Sequence, residues 1–361
     1  MDPKKAGFRA ALLRWHRNEN FREMPWKGEK EPYRIWLSEV ILQQTRVEQG
    51  RSYYQKFITT FPTVRDLARA PEEKVMKLWE GLGYYSRCRN LISTAKKIDA
   101  EYDGQFPATY REIIELKGIG PYTAAAIASF AYDLPHAVVD GNVTRILARF
   151  FGIGTPIDSS AGKSEFARLA AELLDPDQAA LYNQAIMDFG ATVCTPRSPL
   201  CHSCIQRAGC AALSSGRVDQ LPRKEKRVRK RQRYFYYFVV ETPDDQVYIR
   251  KRSGKDIWEG LHEFVLCETD APVWPDDLMR SPFIRDHFGD RELTVRHISN
   301  PYRQELTHQS LQGQFIMLRL SSSSLRLPDH FLVPTSRLAD YAFPKLINGW
   351  LAGETSAQSL F

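Results

Sequence analysis

The spacing of apolar residues changes once along this 361-residue chain, and that change is the strongest constraint on its fold. From about residue 7 to residue 174, apolar side chains recur every three or four positions, as in NVTRILARFF, which is typical of amphipathic helices. Beyond residue 233, the stretch YFYYFVVETPDDQVYIRKR is aromatic and β-branched around a PDD turn and predicts a hairpin. The stretches HEFVLCE and GQFIMLRL predict further strands. We therefore expect an all-α domain followed by an α+β domain.

A basic stretch separates the two patterns. LPRKEKRVRKRQRY (221–234) is rich in arginine and lysine and follows the small, polar AALSSGRVDQ, so we interpret it as a solvated linker that can also contact phosphates. The predicted limits are 1–212 for the first domain, 213–233 for the linker and 234–361 for the second domain. The formal net charge of +7 and a pI near 9.0 favour, weakly, a nucleic-acid partner.

Four of the six cysteines lie within CTPRSPLCHSCIQRAGC (194–210). The chain shows neither a secretory leader nor an apolar run long enough to span a membrane, so we expect a cytoplasmic protein in which clustered thiols bind metal rather than form disulfides. The spacing C-x6-C-x2-C-x5-C leaves zinc and an iron–sulfur cluster both open. The predicted ligands are Cys194, Cys201, Cys204 and Cys210; Cys88 and Cys267 are expected to be buried core thiols.

Two glycines, Gly118 and Gly120, separate helical runs in LKGIGPYTAAAIASFAY. A G-x-G turn followed by Pro121 predicts a helix–hairpin–helix connection, and the backbone N–H groups at the next helix start could bind a DNA phosphate beside Lys117. An ordinary helix connection with no ligand fits the same pattern.

Two carboxylates occupy positions where chemistry is possible. Glu39 in IWLSEVILQQT abuts an apolar stripe, where the pKa of a carboxyl can be raised enough for a general acid. Asp140 in VVDGNVTRIL precedes a predicted helix and could face a cleft. On the helical pattern alone, a solvent-facing Glu39 and a simple N-cap role for Asp140 are the more common explanations. Two carboxylates could share the acid and stabilising roles that cleavage of a glycosidic bond requires.

Taken together, WLSEVILQQT, GLGYYSRCRN, LKGIGPYTA, VVDGNVTRIL and QAIMDFGATVCTPRSPLC closely resemble the adenine DNA glycosylase (MutY) family of the helix–hairpin–helix superfamily. The resemblance covers about residues 7–212 and continues more loosely beyond them. It implies a monofunctional enzyme of base excision repair that hydrolyses adenine from DNA where it is mispaired with 8-oxoguanine or guanine. It also implies that the four clustered cysteines hold one [4Fe–4S] cluster.

The resemblance assigns roles to individual residues. Glu39 would protonate the extruded adenine, Asp140 would stabilise the sugar cation, and Tyr122 and Asn142 would assist. Lyase-active relatives carry a lysine where this chain has Tyr122, and Lys117 does not fill that place. The implied substrate-binding residues are Arg22, Trp26, Lys27, Leu42, Val47 and Gln184 at the adenine, Gln43, Gln44 and Thr45 near the orphaned base, and Leu82 and Tyr84 as the wedge.

The second domain resembles a Nudix fold without the G-x5-E-x7-R-E-x2-E-E-x-G box, so we predict no nucleotide hydrolysis. In the family this domain reads 8-oxoguanine through a Phe-Ser-His loop, matched here by Leu306, Thr307 and His308. Leucine in place of phenylalanine loses an aromatic contact, whereas threonine keeps the hydroxyl.

Two alternatives differ in their chemistry. One is a bifunctional glycosylase/lyase for oxidised pyrimidines, and the other is a non-catalytic iron–sulfur protein that binds DNA. The absent lysine disfavours the first, and the two carboxylates in their family contexts disfavour the second. We further expect a DNA-associated monomer in the cytoplasm of a bacterium.

Overall fold

The computed structural model of the chain describes residues 2–225, 230–322 and 325–358. The chain divides into two compact units, of which the first comprises Met1–Arg69 and Asn90–Arg227 and the second Ala70–Arg89 and Val228–Phe361. A short helical segment from early in the sequence is thus grouped with the β-rich unit, a grouping that the sequence pattern did not predict.

Helices form where apolar residues recur at helical spacing, as predicted. Through residue 225 they are α1 (Pro3–Asn18), α2 (Pro32–Leu42), α3 (Val47–Thr60), α4 (Val64–Arg69), α5 (Glu72–Trp79), α6 (Tyr85–Glu101), α7 (Tyr110–Ile114), α8 (Pro121–Tyr132), α9 (Gly141–Phe151), α10 (Ser160–Leu173), α11 (Ala179–Thr192) and α12 (Ala211–Ser214), with 3₁₀ turns at Pro176–Gln178, Arg207–Gly209 and Val218–Gln220.

The core of the first unit forms where α11 packs against α1, α8 and α9. Phe8 and Leu12 of α1, Leu147 of α9 and Phe189 of α11 are buried in it. The rings of Trp15 and Phe189 meet edge to face with their centroids 5.0 Å apart. Because α2 packs on α8, this core supports the three helices α2, α8 and α9, which carry the predicted catalytic residues.

Gly118 shows why the turn between α7 and α8 requires glycine. Its φ is +80°, and a Cβ added there would lie 2.6 Å from the Cβ of Asn90, so both the backbone conformation and the available space exclude a side chain. Gly120 is the N-cap of α8 and Pro121 its first residue. The predicted helix–hairpin–helix connection is confirmed.

The second unit contains a mixed sheet. Its strands are β1 (Arg231–Glu241), β2 (Gln246–Lys251), β3 (His262–Glu263), β4 (Val265–Thr269), β5 (Leu293–Ile298), β6 (Tyr302–Glu305), β7 (Gln309–Leu320) and β8 (Phe331–Pro334). The main path runs β3-β2-β1-β7-β5, while β4 pairs with β1, β6 with β7 and β8 with β2. Helices α13 (Pro275–Met279), α14 (Pro282–Phe288) and α15 (Lys345–Gln358) and a 3₁₀ segment (Thr335–Asp340) complete this unit.

Strand β1 is the centre of the sheet. It pairs in parallel with β7 from Arg231↔Gln309 to Glu241↔Arg319 and antiparallel with β4. Its almost continuous apolar run explains this position, because a central strand is covered on both faces. The predicted hairpin with β2 is confirmed by the pairing of Glu241 with Val247, and the turn places Asp245 at φ +53°.

Different parts of the predicted linker 213–233 have different structures. Leu221 is buried in the core of the first unit, and Arg223 accepts a backbone hydrogen bond from Ile157 at 3.0 Å. Residues 226–229 lie outside the described part of the chain. Arg231–Arg233 belong to β1, where they pair with β7, and Arg233 is buried and ion-paired with Asp256 and Glu268. Among the helices that the structure describes, none combines the length and the apolar character needed to cross a bilayer.

Candidate active site

A cavity of about 1040 Å³ lies within the first unit. Residues 22–30, α2 and the turn after it, the start of α8, the junction before α9, and α11 line its wall. The predicted site residues that line it are Arg22, Trp26, Lys27, Glu39, Leu42, Gln43, Gln44, Thr45, Val47, Tyr122, Asp140, Asn142 and Gln184. Residues separated by more than 160 positions in the sequence therefore share one concave surface.

Glu39 is buried at this cavity, with only 8 % of its surface exposed. Helix α2 positions it: Pro32 begins the helix, and the side chain of Glu31 accepts hydrogen bonds from the N–H groups of Tyr33 and Arg34. Burial raises the pKa of Glu39 to about 7, the charge of Asp140 adds to the effect, and a hydrogen bond from Tyr122 opposes it. The alternative of a solvent-facing Glu39 is therefore wrong.

Asp140 is the N-cap of α9 and also lines the cavity, so the N-cap role and the cleft-facing position apply to the same residue. Its Oδ1 accepts a hydrogen bond from the backbone N–H of Val143 at 2.7 Å, and its Oδ2 accepts one from Asn142 Nδ2 at 2.8 Å. Burial raises the pKa of Asp140, whereas these hydrogen bonds lower it. They fix the carboxylate in one orientation at the cavity wall.

Tyr122 lies in the first turn of α8 and faces both carboxylates. Burial raises the pKa of its hydroxyl well above the ordinary value, and the charges of Glu39 and Asp140 raise it further. The hydroxyl therefore stays protonated and serves as a donor, with Met187 Sδ 3.5 Å away.

The turn after α2 presents three polar residues at the cavity. Gln43 Nε2 donates to Thr123 Oγ1 at 3.3 Å, and the N–H of Thr45 donates to the carbonyl of Leu42 at 3.1 Å. Gln44 has φ +58°, a left-handed conformation that is uncommon for a residue other than glycine and is concentrated at functional sites.

The hairpin residues Lys117, Gly118 and Gly120 are exposed. The Lys117 carbonyl accepts a hydrogen bond from Thr94 Oγ1 at 2.8 Å, which fixes the turn and leaves the lysine side chain at the surface. The predicted contact of this turn with a DNA phosphate stays a prediction, and Lys117 is not among the residues that line the cavity.

The four clustered cysteines lie together beside α9. The pKa of Cys204 is raised to about 11, mainly by burial and further by the thiols of Cys194, Cys210 and Cys201. Arg149 Nη1 donates to Cys194 Sγ at 3.5 Å and to the carbonyl of Thr195 at 2.7 Å. Within the described ranges, no three His, Cys, Asp or Glu side chains converge as a single-ion site would require.

Four predicted DNA-contacting residues belong to the second unit. Leu82 is only 6 % exposed, whereas Tyr84, with φ +48°, is 42 % exposed. Thr307 and His308 form the exposed turn between β6 and β7, which the hydrogen bond from Leu306 N–H to the Gln309 carbonyl closes at 2.8 Å. The Tyr84 and Thr307 hydroxyls are hydrogen-bonded to each other.

Comparison with known proteins agrees with this geometry. Residues 37–175 match the HhH-GPD superfamily of base excision DNA repair proteins, and residues 236–352 match the NUDIX domain. An adenine DNA glycosylase of Buchnera aphidicola subsp. Baizongia pistaciae is 33 % identical over 320 residues, covering 88 % of each chain. The chain belongs to the adenine DNA glycosylase family. It is a DNA glycosylase of base excision repair, and the predicted resemblance is confirmed.

Other family members and solved structures show how much of the chain is covered by the similarity. The human adenine DNA glycosylase is 42 % identical over 223 residues, which cover 59 % of this chain and 41 % of the human one. A thermostable thymine-DNA glycosylase superposes with a TM-score of 0.55 at 27 % identity, over 59 % of this chain and 97 % of its own. An endonuclease III solved with DNA, at 20 % identity and a TM-score of 0.51, shares the fold.

Sequence reasoning missed three residues that organise the site. Asp188 is a buried carboxylate paired with Arg22 and Lys27. Arg145 donates to Asn142 Oδ1 at 2.8 Å and to the carbonyl of Cys194 at 2.7 Å. A Cβ on Gly190 would lie 2.7 Å from the Cβ of Asn142, so this glycine allows α11 to approach the start of α9. The position of Asp188, one helical turn after Gln184, was the signal in the sequence that could have revealed it.

Proposed function

We propose that this enzyme excises adenine mispaired with 8-oxoguanine or guanine by hydrolysing its N-glycosidic bond. The observation that carries the proposal is a pair of carboxyls in one cavity: Glu39, whose pKa is about 7, and Asp140, an N-cap fixed by two hydrogen bonds. Such a pair can supply a protonated acid and an ionised carboxylate at the same pH.

The two carboxyls divide the chemistry. Protonated Glu39 donates its proton to a ring nitrogen of the extruded adenine. The electrons of the glycosidic bond move onto the purine, which leaves as a neutral base. The ionised carboxylate of Asp140 stabilises the positive charge that develops on the sugar. Water then adds to the sugar carbon and releases the proton that restores Glu39. The adenine has to leave the duplex first because its reacting bond is inaccessible within the base stack.

The proposal is of a monofunctional enzyme, because a lyase needs an uncharged amine to form a Schiff base. Tyr122 stands where lyase-active relatives have a lysine. Lys27 and Lys30 line the cavity, yet Lys27 is ion-paired with Asp188 at 3.3 Å and Lys30 with Asp133 at 3.2 Å. Both amines are therefore engaged with carboxylates in this structure.

Recognition of the opposite base is assigned to Thr307 and His308. 8-Oxoguanine differs from guanine by an O8 acceptor and an N7–H donor, and a threonine hydroxyl can accept from N7–H. The exposure of both residues in the turn between β6 and β7 supports the assignment, as does the match to the reading loop of the family.

A [4Fe–4S] cluster is proposed for Cys194, Cys201, Cys204 and Cys210. Burial, followed by the neighbouring Cys194 and Cys210, raises the pKa of both Cys201 and Cys204, so the four thiols lie near one another. Such a cluster takes four cysteine thiolates. It would crosslink a loop otherwise short of regular structure, and it takes no part in the excision proposed above.

Single-turnover excision separates this proposal from its alternatives. Wild-type protein should release adenine from duplexes with 8-oxoguanine·adenine and guanine·adenine pairs and spare thymine·adenine. Glu39→Gln should lose roughly a hundredfold to ten-thousandfold in rate, the usual contribution of a general acid, and Asp140→Asn should lose most of the excision; both variants should still bind the duplex. Release of oxidised pyrimidines together with a borohydride-trapped covalent complex would instead support the bifunctional lyase, and binding with no excision would support the non-catalytic alternative.

A further inference from the structure

Asp188 is a fully buried carboxylate next to the cavity that the proposed mechanism does not use. Its side chain is 0 % exposed, and it forms ion pairs with Arg22 at 2.8 Å and with Lys27 at 3.3 Å. Asn20 Nδ2 donates a third contact at 2.8 Å. Asp188 lies on α11 one turn after Gln184, and Arg22, Lys27 and Gln184 all line the cavity.

The three partners of Asp188 belong to one segment that lacks regular structure. Residues 19–31 connect α1 to α2 without forming a helix or a strand, so no backbone ladder holds their side chains in place. Lys27 Nζ also donates to the carbonyl of Arg22 at 2.7 Å, and the N–H of Arg22 donates to Asn20 Oδ1 at 3.2 Å. These contacts and Asp188 together determine the course of this segment along the cavity wall.

Electrostatics makes Asp188 the fixed member of this group. A buried charge is tolerated only when it is paired and hydrogen-bonded, and Asp188 is enclosed whereas the side chains of Arg22 and Lys27 remain 24 % and 25 % exposed. Without the carboxylate, both cations could turn towards water, where they are better solvated. When the carboxylate is present, each cation is held at the cavity wall, and some of its N–H groups remain available for another acceptor.

We propose that Asp188 is a positioning residue for the base pocket, holding Arg22 and Lys27 where their remaining N–H groups meet the acceptor nitrogens of the extruded purine. The inference rests on the proposed function, because it presupposes that a purine enters this cavity. Asp188 itself does not touch the base, and its effect passes entirely through the two cations.

The test compares two duplexes that differ only in whether a base can fill the pocket. One carries a non-hydrolysable 2′-fluoro-adenosine opposite 8-oxoguanine, and the other carries an abasic site there. Asp188→Asn should weaken binding of the first duplex by roughly tenfold to a hundredfold, the size expected for losing one hydrogen bond that involves a charged group, and should leave binding of the abasic duplex unchanged.

Asp99→Asn is the matched control. Asp99 pairs with two cations, Arg65 at 2.9 Å and Arg69 at 3.1 Å, but none of the three lines the cavity. This variant should bind both duplexes as the wild type does. If it shows the same selective loss as Asp188→Asn, the effect is one of general charge or stability and the inference is wrong.

Asp188→Glu covers the case in which Asp188→Asn does not fold. It keeps the charge but moves the carboxylate by about one carbon–carbon bond, roughly 1.5 Å, so selective loss of the adenosine duplex is again expected. Wild-type affinity of either folded variant for the adenosine duplex would overturn the inference. Failure of the wild type to excise adenine from any duplex would instead overturn the proposed function, so the two failures are distinguishable.

Discussion

Glu39 is the residue whose protonation most strongly affects the proposed chemistry. Its burial raises its pKa to about 7, and a general acid acts only in its protonated form. Above pH 7, the single-turnover rate of adenine excision should therefore fall about tenfold per pH unit. Below pH 7 the rate should be constant, until the pH is low enough to protonate Asp140, whose pKa is also raised. A rate that stayed constant from pH 6 to pH 9 would show that Glu39 is not the acid.

The same burial predicts an effect on stability. The folded-state pKa of Glu39 lies above the ordinary value of 4.5, so its favourable contribution is complete below pH 4.5 and is lost as the pH rises through about 7. Glu39→Gln removes the ionisation and should melt at a higher temperature than the wild type at pH 8, with a smaller difference at pH 5.5. Thermal unfolding followed by circular dichroism at the two pH values measures this; an identical difference at both would contradict it.

Helix α9 connects the site to the cysteine loop. Asp140 caps its first turn, Arg145 bonds to Asn142 and to the carbonyl of Cys194, and Arg149 reaches the carbonyl of Thr195. One rigid element therefore determines both the orientation of the stabilising carboxylate and the position of the loop that holds the proposed cluster.

The contact between α9 and α11 at Gly190 can be tested with one methyl group. Gly190→Ala would place a Cβ 2.7 Å from the Cβ of Asn142 and 3.1 Å from Ile146 Cδ1, and such overpacking costs about 1–3 kcal/mol. We expect a lower free energy of unfolding in urea and slower excision, because Asn142 orients Asp140.

Gly7→Ala is the matched control for that substitution. Gly7 lies inside α1, and an added Cβ would have no neighbour within 4 Å, so alanine should stabilise the helix by up to about 1 kcal/mol without changing the excision rate. Equal effects of the two substitutions would mean that Gly190 is not needed for the close packing of α9.

The cysteine loop gives a prediction independent of excision. Purified protein should contain about four irons per chain and be yellow-brown. Cys201→Ser should lose the iron and weaken DNA binding, because metal binding and folding of the loop are coupled, whereas Cys267→Ser, in the second unit, should keep both. Stoichiometric zinc without iron in protein purified anaerobically would contradict the cluster.

Local sequence pattern predicted the elements well and the long-range contacts less well. The helical period, the turn at Gly118 and the β1–β2 hairpin depend on neighbouring residues and are confirmed. Asp188, Gly190 and Arg145 were missed because their roles depend on contacts with distant segments, which periodicity does not encode. Pattern also left open whether Glu39 faces solvent, because it sits at the edge of the apolar stripe of α2, and its burial beside Tyr122 depends on a distant segment.

Within the second unit, the predicted wedge lies next to the residue predicted to read the opposite base. Tyr84 and Thr307 share a hydrogen bond, and Glu80, just before Tyr84, accepts one from the N–H of Phe343 at 2.8 Å. Thr307→Ala should therefore reduce the preference for 8-oxoguanine·adenine over guanine·adenine only several-fold, since one hydrogen bond contributes about 0.5–1.5 kcal/mol. The ratio of the two excision rates measures the preference.

Thr307→Ala combined with His308→Ala should lower that ratio further, because both polar groups of the turn are then missing. Thr335→Ala is a control, since this exposed threonine donates to the carbonyl of Asp245 at 3.0 Å and lies outside the reading turn. An unchanged ratio in the double variant would show that the turn between β6 and β7 does not read the opposite base.

The composition of the second unit also has a consequence for biosynthesis. Lys77 donates to the carbonyl of Tyr341 across 264 positions of sequence, and a ribosome that adds about 5–20 residues per second needs roughly 13–50 s to cover that distance. During this interval the nascent segment Ala70–Arg89 lacks the partners that it has in the finished protein. A stop codon after residue 230 would therefore remove the reading turn and also leave an already synthesised part of the chain permanently without its carboxyl-terminal contacts.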